Sequence, residues 1–255
     1  ERKYVLREVI RLREIPVRLG DREYVVSAKS AFLPDSKVQV YFIDYPPYFD
    51  RDSLYVNPST GKDYSDNAER FALFSRAVLE VLKVLHWQPD VIHCNDWQTS
   101  LIPAYLKTRL QEDPFYAKTA SLLTIHNLAY QGVFDKGVLE VIDLPDELFR
   151  PGGPVEFYGK VNFLKAGIVF ADAINTVSER YAQEIQTEEF GAGLDGVLRS
   201  RAQDLYGILN GVDYSVWNPE TDEFIPHKYS ISDLSGKQRN KEALLTQPVS
   251  YTHLT

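Results

Sequence analysis

The strongest constraint on this chain is a rhythm in its second half, where short apolar runs alternate with longer stretches of helical character. "DVIHCND", "ASLLTIHN", "DAINTVS" and "LYGILNG" are short, apolar and end in polar residues or glycine. Between them, "WQTSLIPAYLKTRLQ", "FYGKVNFLKAGIVF" and "ERYAQEIQ" read as helices. Parallel strands need a long crossover, which a helix supplies while covering the sheet. The pattern therefore predicts an α/β fold with a parallel sheet and helices on both faces.

The first 45 residues or so follow a different period. "VRLGDREYVVSAKS" and "KVQVYFIDY" alternate in short runs, and the turn-like "GD" and "PDS" separate them, which predicts a small meander of strands. Next comes "YSDNAERFALFSRAVLEVLKVLH", with Phe71, Phe74, Val78, Leu82 and Leu85 at helical spacing. Asp66 stands three residues before Glu69 as in a capping box, and Pro89 closes the segment.

Composition removes several function classes. The net charge is -8, which argues against nucleic acid as the main partner, because phosphate binding rewards a basic face. There is no apolar run of about 18 residues to span a membrane, and the start, "ERKYVLREVIRLREIPVRL", is too charged for a secretory signal. The lone Cys94 has no partner for a disulfide and reads as a small buried thiol in a reducing compartment. With no methionine anywhere, the chain reads as a piece of a longer one, and "TQPVSYTHLT" reads as an atypical tail.

In open parallel sheets, ligands bind beyond the carboxyl ends of the strands. The polar residues gather there: His93, Asn95 and Asp96 after one strand, His126 and Asn127 after the next, then Thr176 and Ser178, then Asn210 and Gly211. Any one of these could simply cap a helix, Asp96 and Ser178 especially; four on one edge point to a site. Asp, Asn and His beside Trp97 and Tyr130 put short hydrogen-bonding groups next to flat apolar faces, the mixture a sugar wants, although Trp97 could equally be core. Metal binding is the weaker reading, because His93 and Cys94 fall on opposite faces of a strand and no CxxC or HExxH spacing occurs. "GAGLDG" matches the dinucleotide fingerprint, with Gly191, Gly193 and Gly196, but the acidic, helical "AQEIQTEEF" stands where that motif needs a strand.

With the strand ends aligned, the chain resembles the bacterial glycogen synthase and plant starch synthase family of retaining glucosyltransferases. The resemblance lies in "YSDNAERFALFSRAVLE", "DVIHCNDWQTSLIPAYL", "TIHNLAYQGVF", "INTVSERYAQEIQTEEFGAGLDGVL" and "LYGILNGVDYSVWNPETD". It implies a GT-B enzyme of two Rossmann-like domains. The NDP-glucose donor, ADP-glucose or UDP-glucose, lies mostly on the second, and the α-1,4-glucan acceptor mostly on the first. Residues 1–228 then form an incomplete first domain, 229–245 a crossover to a second, and 246–255 the tail. The family's Lys-Gly-Gly loop and leading strand fall before this start. "DVIHC" should therefore border an unpaired edge, with the meander lying across it, and the isolated chain should fold poorly and transfer no glucose.

Residue by residue, the motifs imply that His126 and Asn210 are catalytic. His126 helps to hold the 6-hydroxyl of the transferred glucose and the charge developing at C1, and Asn210 reaches the same hydroxyl. Asp96, Trp97 and Tyr64 line the glucose and acceptor site, and Asn127 and Tyr130 join them as substrate-binding residues. No cofactor or metal is implied, nor a nucleic-acid or membrane partner, and the compartment is the cytoplasm or plastid stroma. Two other readings remain: a non-catalytic glucan-binding module using the same wall, and a nucleotide-binding oxidoreductase, for which only "GAGLDG" speaks.

Overall fold

The computed structural model describes residues 10–246 apart from residue 35, so the charged start and the tail from residue 247 onward lie outside the described residues. The meander is present as three antiparallel strands, β1 (Ile10–Leu19), β2 (Arg22–Phe32) and β3 (Gln39–Asp44), in the order β1-β2-β3. Leu19 pairs with Arg22 across the two-residue turn Gly20–Asp21. Gly20 has φ 59°, and a Cβ there would come within 2.8 Å of the Glu140 carbonyl oxygen, so the turn needs glycine on both counts. Ile15, Val17 and Leu19 alternate with Tyr24, Val26 and Ala28 to give the meander its buried face.

Short elements then lead into the main helix: α1 (Pro46–Phe49), the hairpin β4 (Val56–Asn57) with β5 (Lys62–Asp63), and α2 (Asn67–Val84). The meander packs on α2 as a sheet of its own rather than lying across a strand of the parallel sheet. Because α2 has the meander on one side and α3 on another, it is buried almost all round. Ala72, Leu73, Ala77 and Leu79 are completely buried, while Phe71, Phe74 and Val78 from the expected stripe are only half-buried.

The capping box does not form. Asp66 makes no side-chain cap bond; both its oxygens go to Arg51, at 2.8 and 2.5 Å. Glu69 is taken by Arg22 and Tyr24 of the meander. Tertiary partners with charge to offer have outcompeted the local backbone N–H groups for both carboxylates.

The parallel sheet follows as expected. β6 (Val91–Asn95), α3 (Leu101–Lys107), β7 (Ala120–Ile125), β8 (Val133–Phe134), α4 (Leu139–Ile142), β9 (Glu156–Phe157), β10 (Lys160–Asn162), α5 (Phe163–Phe170), β11 (Ala173–Thr176), α6 (Glu179–Glu184), α7 (Asp195–Ser200) and β12 (Leu205–Gly207) succeed one another. The sheet order is β12-β11-β7-β6, all parallel. β6 is an edge strand among the described residues, with β7 its one neighbour. Its Ile92 and Cys94 are buried while Val91, His93 and Asn95 are exposed, so only one face of this strand is covered. Burial drives the Cys94 thiol pKa up to about 12, which fits the inert-thiol reading.

The helices are shorter than the sequence suggests. "FYGKVN" is not helical: Tyr158 and Gly159 turn at φ 50° and 81°, and β9 and β10 form a small antiparallel sheet with β8. Helix α5 begins only at Phe163, where Asn162 accepts a capping bond from the Lys165 backbone N–H.

The chain divides into two compact units, one up to Leu209 and one from Asn210 onward. In the second, α8 (Ser235–Thr246) is clasped to its preceding loop by Asn240, which accepts from the His227 N–H and donates to the His227 carbonyl, at 2.9 and 2.7 Å. Gly236 packs so closely on Lys228 that a Cβ would sit 2.0 Å from its carbonyl oxygen.

Candidate functional site

The carboxyl ends of β6 and β7 are tied together by side chains. Asn95 is in register with Thr124, and the Asp96 N–H donates to the Thr124 carbonyl at 2.9 Å, carrying the pairing one residue past the strand. Asp96 then turns the chain at φ 54°, a left-handed conformation that aspartate tolerates better than most residues. Its carboxylate is not a helix cap. It accepts from the His126 backbone N–H at 2.8 Å. The His126 ring places Nε2 2.9 Å from Asn95 Oδ1, an acceptor, so that nitrogen carries a proton. His126 is thus exposed yet held at two points by the neighbouring strand end.

Below this pair runs a polar line across the sheet. The Thr124 hydroxyl donates to Asn175 Oδ1 at 2.6 Å, and His93 Nε2 lies 2.6 Å from the same hydroxyl and donates to it. Thr176 is fully buried and spends its hydroxyl on the Ile125 carbonyl at 2.7 Å, which makes it a strand tie. Ser178 caps α6, accepting from the Tyr181 N–H at 3.3 Å.

Beside the strand ends lies a pocket of about 710 Å³. Asp96, Trp97, Asn127 and Tyr130 line it, together with residues that sequence reasoning passed over: Tyr55, Asp63, Asn67 and Gln131. Tyr130 is 67% exposed and free to meet a ligand. Asn127 accepts from the Ala129 N–H at 3.0 Å, which shapes the turn carrying Tyr130.

Trp97 is different. Only 8% exposed, its ring meets Phe71 at 4.8 Å and lies within 6.5 Å of Tyr55, Phe134 and Phe163. Gly132 presses on its Cε3 and Cδ2 from another side. The indole is therefore aromatic core with a margin on the pocket, rather than an open stacking platform. Tyr64 does not line the pocket. It is half-buried, with the Arg51 and Arg70 guanidinium groups over its ring at 4.5 and 5.2 Å. Asn210 is exposed and opens the second unit.

The glycine-rich stretch behaves as its context predicts. It follows α6 and leads into α7, with no strand before it. Ala192 and Gly193 are both left-handed, at φ 46° and 81°, and Gly193 packs against Phe157.

Known proteins resemble this chain both in sequence and in fold. The family model "Starch synthase catalytic domain" matches residues 1–200. A glycogen synthase of Koribacter versatilis is 52% identical over 236 residues, 92% of this chain and 48% of that protein. One of Thermosipho melanesiensis is 54% identical over 212 residues, 83% of this chain and 42% of that protein. The catalytic domain of starch synthase IV from Arabidopsis thaliana, bound to ADP and acarbose, superposes with a TM-score of 0.72 at 31% identity, covering 94% of this chain and 48% of that one. The chain spans about half the length of the relatives it matches.

Proposed function

This chain belongs to the family of bacterial glycogen synthases and plant starch synthases, and on that premise we propose that it forms the acceptor-side domain of a retaining glucosyltransferase. The reaction moves glucose from an NDP-glucose to the non-reducing end of an α-1,4-glucan. ADP-glucose is the donor we favour, because the starch synthase IV neighbour is bound to ADP. The acceptor occupies the pocket lined by Asp96, Asn127 and Tyr130, and acarbose, an oligosaccharide analogue in that same neighbour, is in keeping with this.

The observation that carries the reading is the fixing of His126 by Asn95 and Asp96 next to this pocket. As the nucleotide leaves, positive charge develops at C1, and dipoles already held in position act on it without reorganising. His126 is the proposed group at the transferred glucose, contributing about 2–4 kcal/mol where water is excluded, and Asn210 is proposed as catalytic on the family resemblance. Trp97 contributes the firmness of the wall more than a stacking face. Tyr64 acts on the acceptor side through the loop in which it is wedged.

The leaving diphosphate needs cationic clamps that the family resemblance places on a second domain. The chain alone is therefore expected to incorporate no radiolabelled glucose into glycogen above a blank. In a complete synthase carrying this domain, His126→Ala should lower kcat by about 10²–10³-fold, the size of effect seen on removing one preorganised donor. An unchanged kcat would remove His126 from the chemistry, and transfer by the chain alone would overturn the division of labour.

A further inference from the structure

The pocket wall from Asn127 to Phe134 is an irregular loop that runs into β8 at Val133, and its position is set from underneath by one buried amide. Gln131 is 7% exposed and makes hydrogen bonds at both ends of its side chain. Its Nε2 donates to the Ala192 carbonyl at 3.1 Å, and its Oε1 accepts from Asn162 Nδ2 at 2.6 Å. Its backbone carbonyl accepts from the Leu164 N–H, and that of Gly132 accepts from the Phe163 N–H, both at 3.0 Å. Asn162 spends its own oxygen on capping α5. Gln131 thus joins three segments remote in sequence: the pocket loop, the start of α5 and the glycine-rich loop.

The glycine-rich loop acquires a purpose in this arrangement. Its Ala192 holds a left-handed φ of 46°, which costs a residue with a Cβ. Gly191 and Gly193 fit where a side chain would not: a Cβ on Gly191 would lie 2.4 Å from the Asp195 Cβ, and one on Gly193 3.0 Å from Phe157. The result is a carbonyl presented to the interior, where Gln131 meets it. A motif that looks like a phosphate cradle supplies an acceptor instead.

We infer that Gln131 is a positioning residue for the acceptor, and that the glycine-rich loop serves as its backbone anchor. Adjacent in sequence are Tyr130, exposed on the pocket, and Gly132, packed against Trp97. A loop released from Ala192 would let Tyr130 and Asn127 wander and so weaken acceptor binding, while donor binding would be untouched. This inference rests on the proposed reading of the pocket as the acceptor site.

The test uses a complete synthase carrying this sequence, with KM measured separately for maltoheptaose and for ADP-glucose. Gln131→Glu keeps the shape but turns the donor facing Ala192 into a carboxylate, so two acceptors confront each other. The maltoheptaose KM should rise roughly ten-fold, as losing one buried hydrogen bond implies, with the ADP-glucose KM unchanged. A protonated carboxyl can again donate to Ala192. The variant should therefore regain acceptor affinity as pH falls, relative to the wild type measured alongside. Gln131→Met, which removes both bonds without adding charge, should raise the maltoheptaose KM without any such pH dependence. Equal rises for both substrates, or no rise in either variant, would overturn the inference. So would failure of both variants to fold, which would make Gln131 a folding residue. A wild-type enzyme that transfers glucose without saturating in maltoheptaose would instead count against the acceptor pocket itself.

Discussion

One wall of the pocket is clamped by charges and the other by neutral groups. The wall carrying Tyr55, Asp63 and Asn67 hangs on Arg70, which is 3% exposed and donates to the carbonyls of Tyr48 and Leu54 at 2.8 and 3.1 Å and to Asn67 Oδ1 at 2.5 Å. Asn67 in turn donates to the Tyr55 carbonyl at 3.0 Å. Arg51 with Asp66, and Arg22 with Glu69, brace the same region from outside. The wall from Asn127 to Phe134 has no ion pair among its described contacts except at its far end, where Asp135 meets Lys160. It is held by Gln131, Asn162, backbone bonds and the packing of Gly132 on Trp97. The difference teaches where each wall is vulnerable: the first to loss of a charge or to acid, the second to shape.

The largest effect should come from cutting the centre of the charged wall. Arg70→Met leaves the carbonyls of Tyr48 and Leu54 and the buried Asn67 Oδ1 without their donor and removes a cation over the rings of Tyr64 and Phe71. Unsatisfied groups of this kind make a loss of about 3–5 kcal/mol the expectation, read as a fall in denaturant midpoint at constant m. A loss under about 1 kcal/mol would mean that water replaces the guanidinium and that the wall is not clamped there.

For the neutral wall the corresponding cut is one of shape. Gly132 has φ 63°, and a Cβ would sit 2.4 Å from Trp97 Cε3. Gly132→Ala combines a disfavoured backbone with overpacking against a ring already enclosed by aromatics, at a cost of about 2–3 kcal/mol. Unchanged stability would show that Trp97 can shift aside, and with it the reading of the indole as fixed core.

How much of this was legible beforehand follows the range of the interactions. β6, β7, β11 and β12 could be read from sequence because their apolar runs answer to the sheet's own burial. So could the edge position of β6, which the family resemblance implied. The polar strand ends were visible for the same reason: they stop where the apolar run stops. What was hidden depended on partners far along the chain. Asp66 and Glu69 have the spacing of a capping box, yet Arg51 and the pair Arg22 and Tyr24 take them. "FYGKVN" has helix-compatible spacing, yet the left-handed Tyr158–Gly159 turn makes it a hairpin. Nothing local distinguishes Trp97 as core from Trp97 as platform, because the answer lies with Phe71, Phe134 and Phe163. Gln131 offered no signal either, since its acceptor and its donor are 61 and 31 residues away.

The smallest effect, and the one that separates the two walls most directly, is a matter of pH. Hydrogen bonds from Arg51, working against burial, hold the Asp66 carboxyl below its ordinary range. Burial pushes Glu69 the other way, but Tyr24, Tyr48 and Arg22 outweigh it and keep that carboxyl low as well. Both groups therefore bind protons more readily in the unfolded chain, at about pH 4, than in the folded one. Their contribution to stability is complete above those unfolded values and disappears as pH falls through the lower folded values. No amide in the other wall titrates. Asp66→Asn should cost under about 1 kcal/mol at neutral pH, because the pair is partly open to solvent. Its main mark should be a shallower fall of Tm as the pH drops below about 4, with wild type and variant converging only once the pH lies below the lowered folded value of Asp66 and protonation has broken the pair in the wild type. Gln131→Met should instead lower Tm by the same amount at every pH. Parallel curves for Asp66→Asn and wild type would mean that the Arg51 bridge adds nothing, and that the charged wall rests on Arg70 alone.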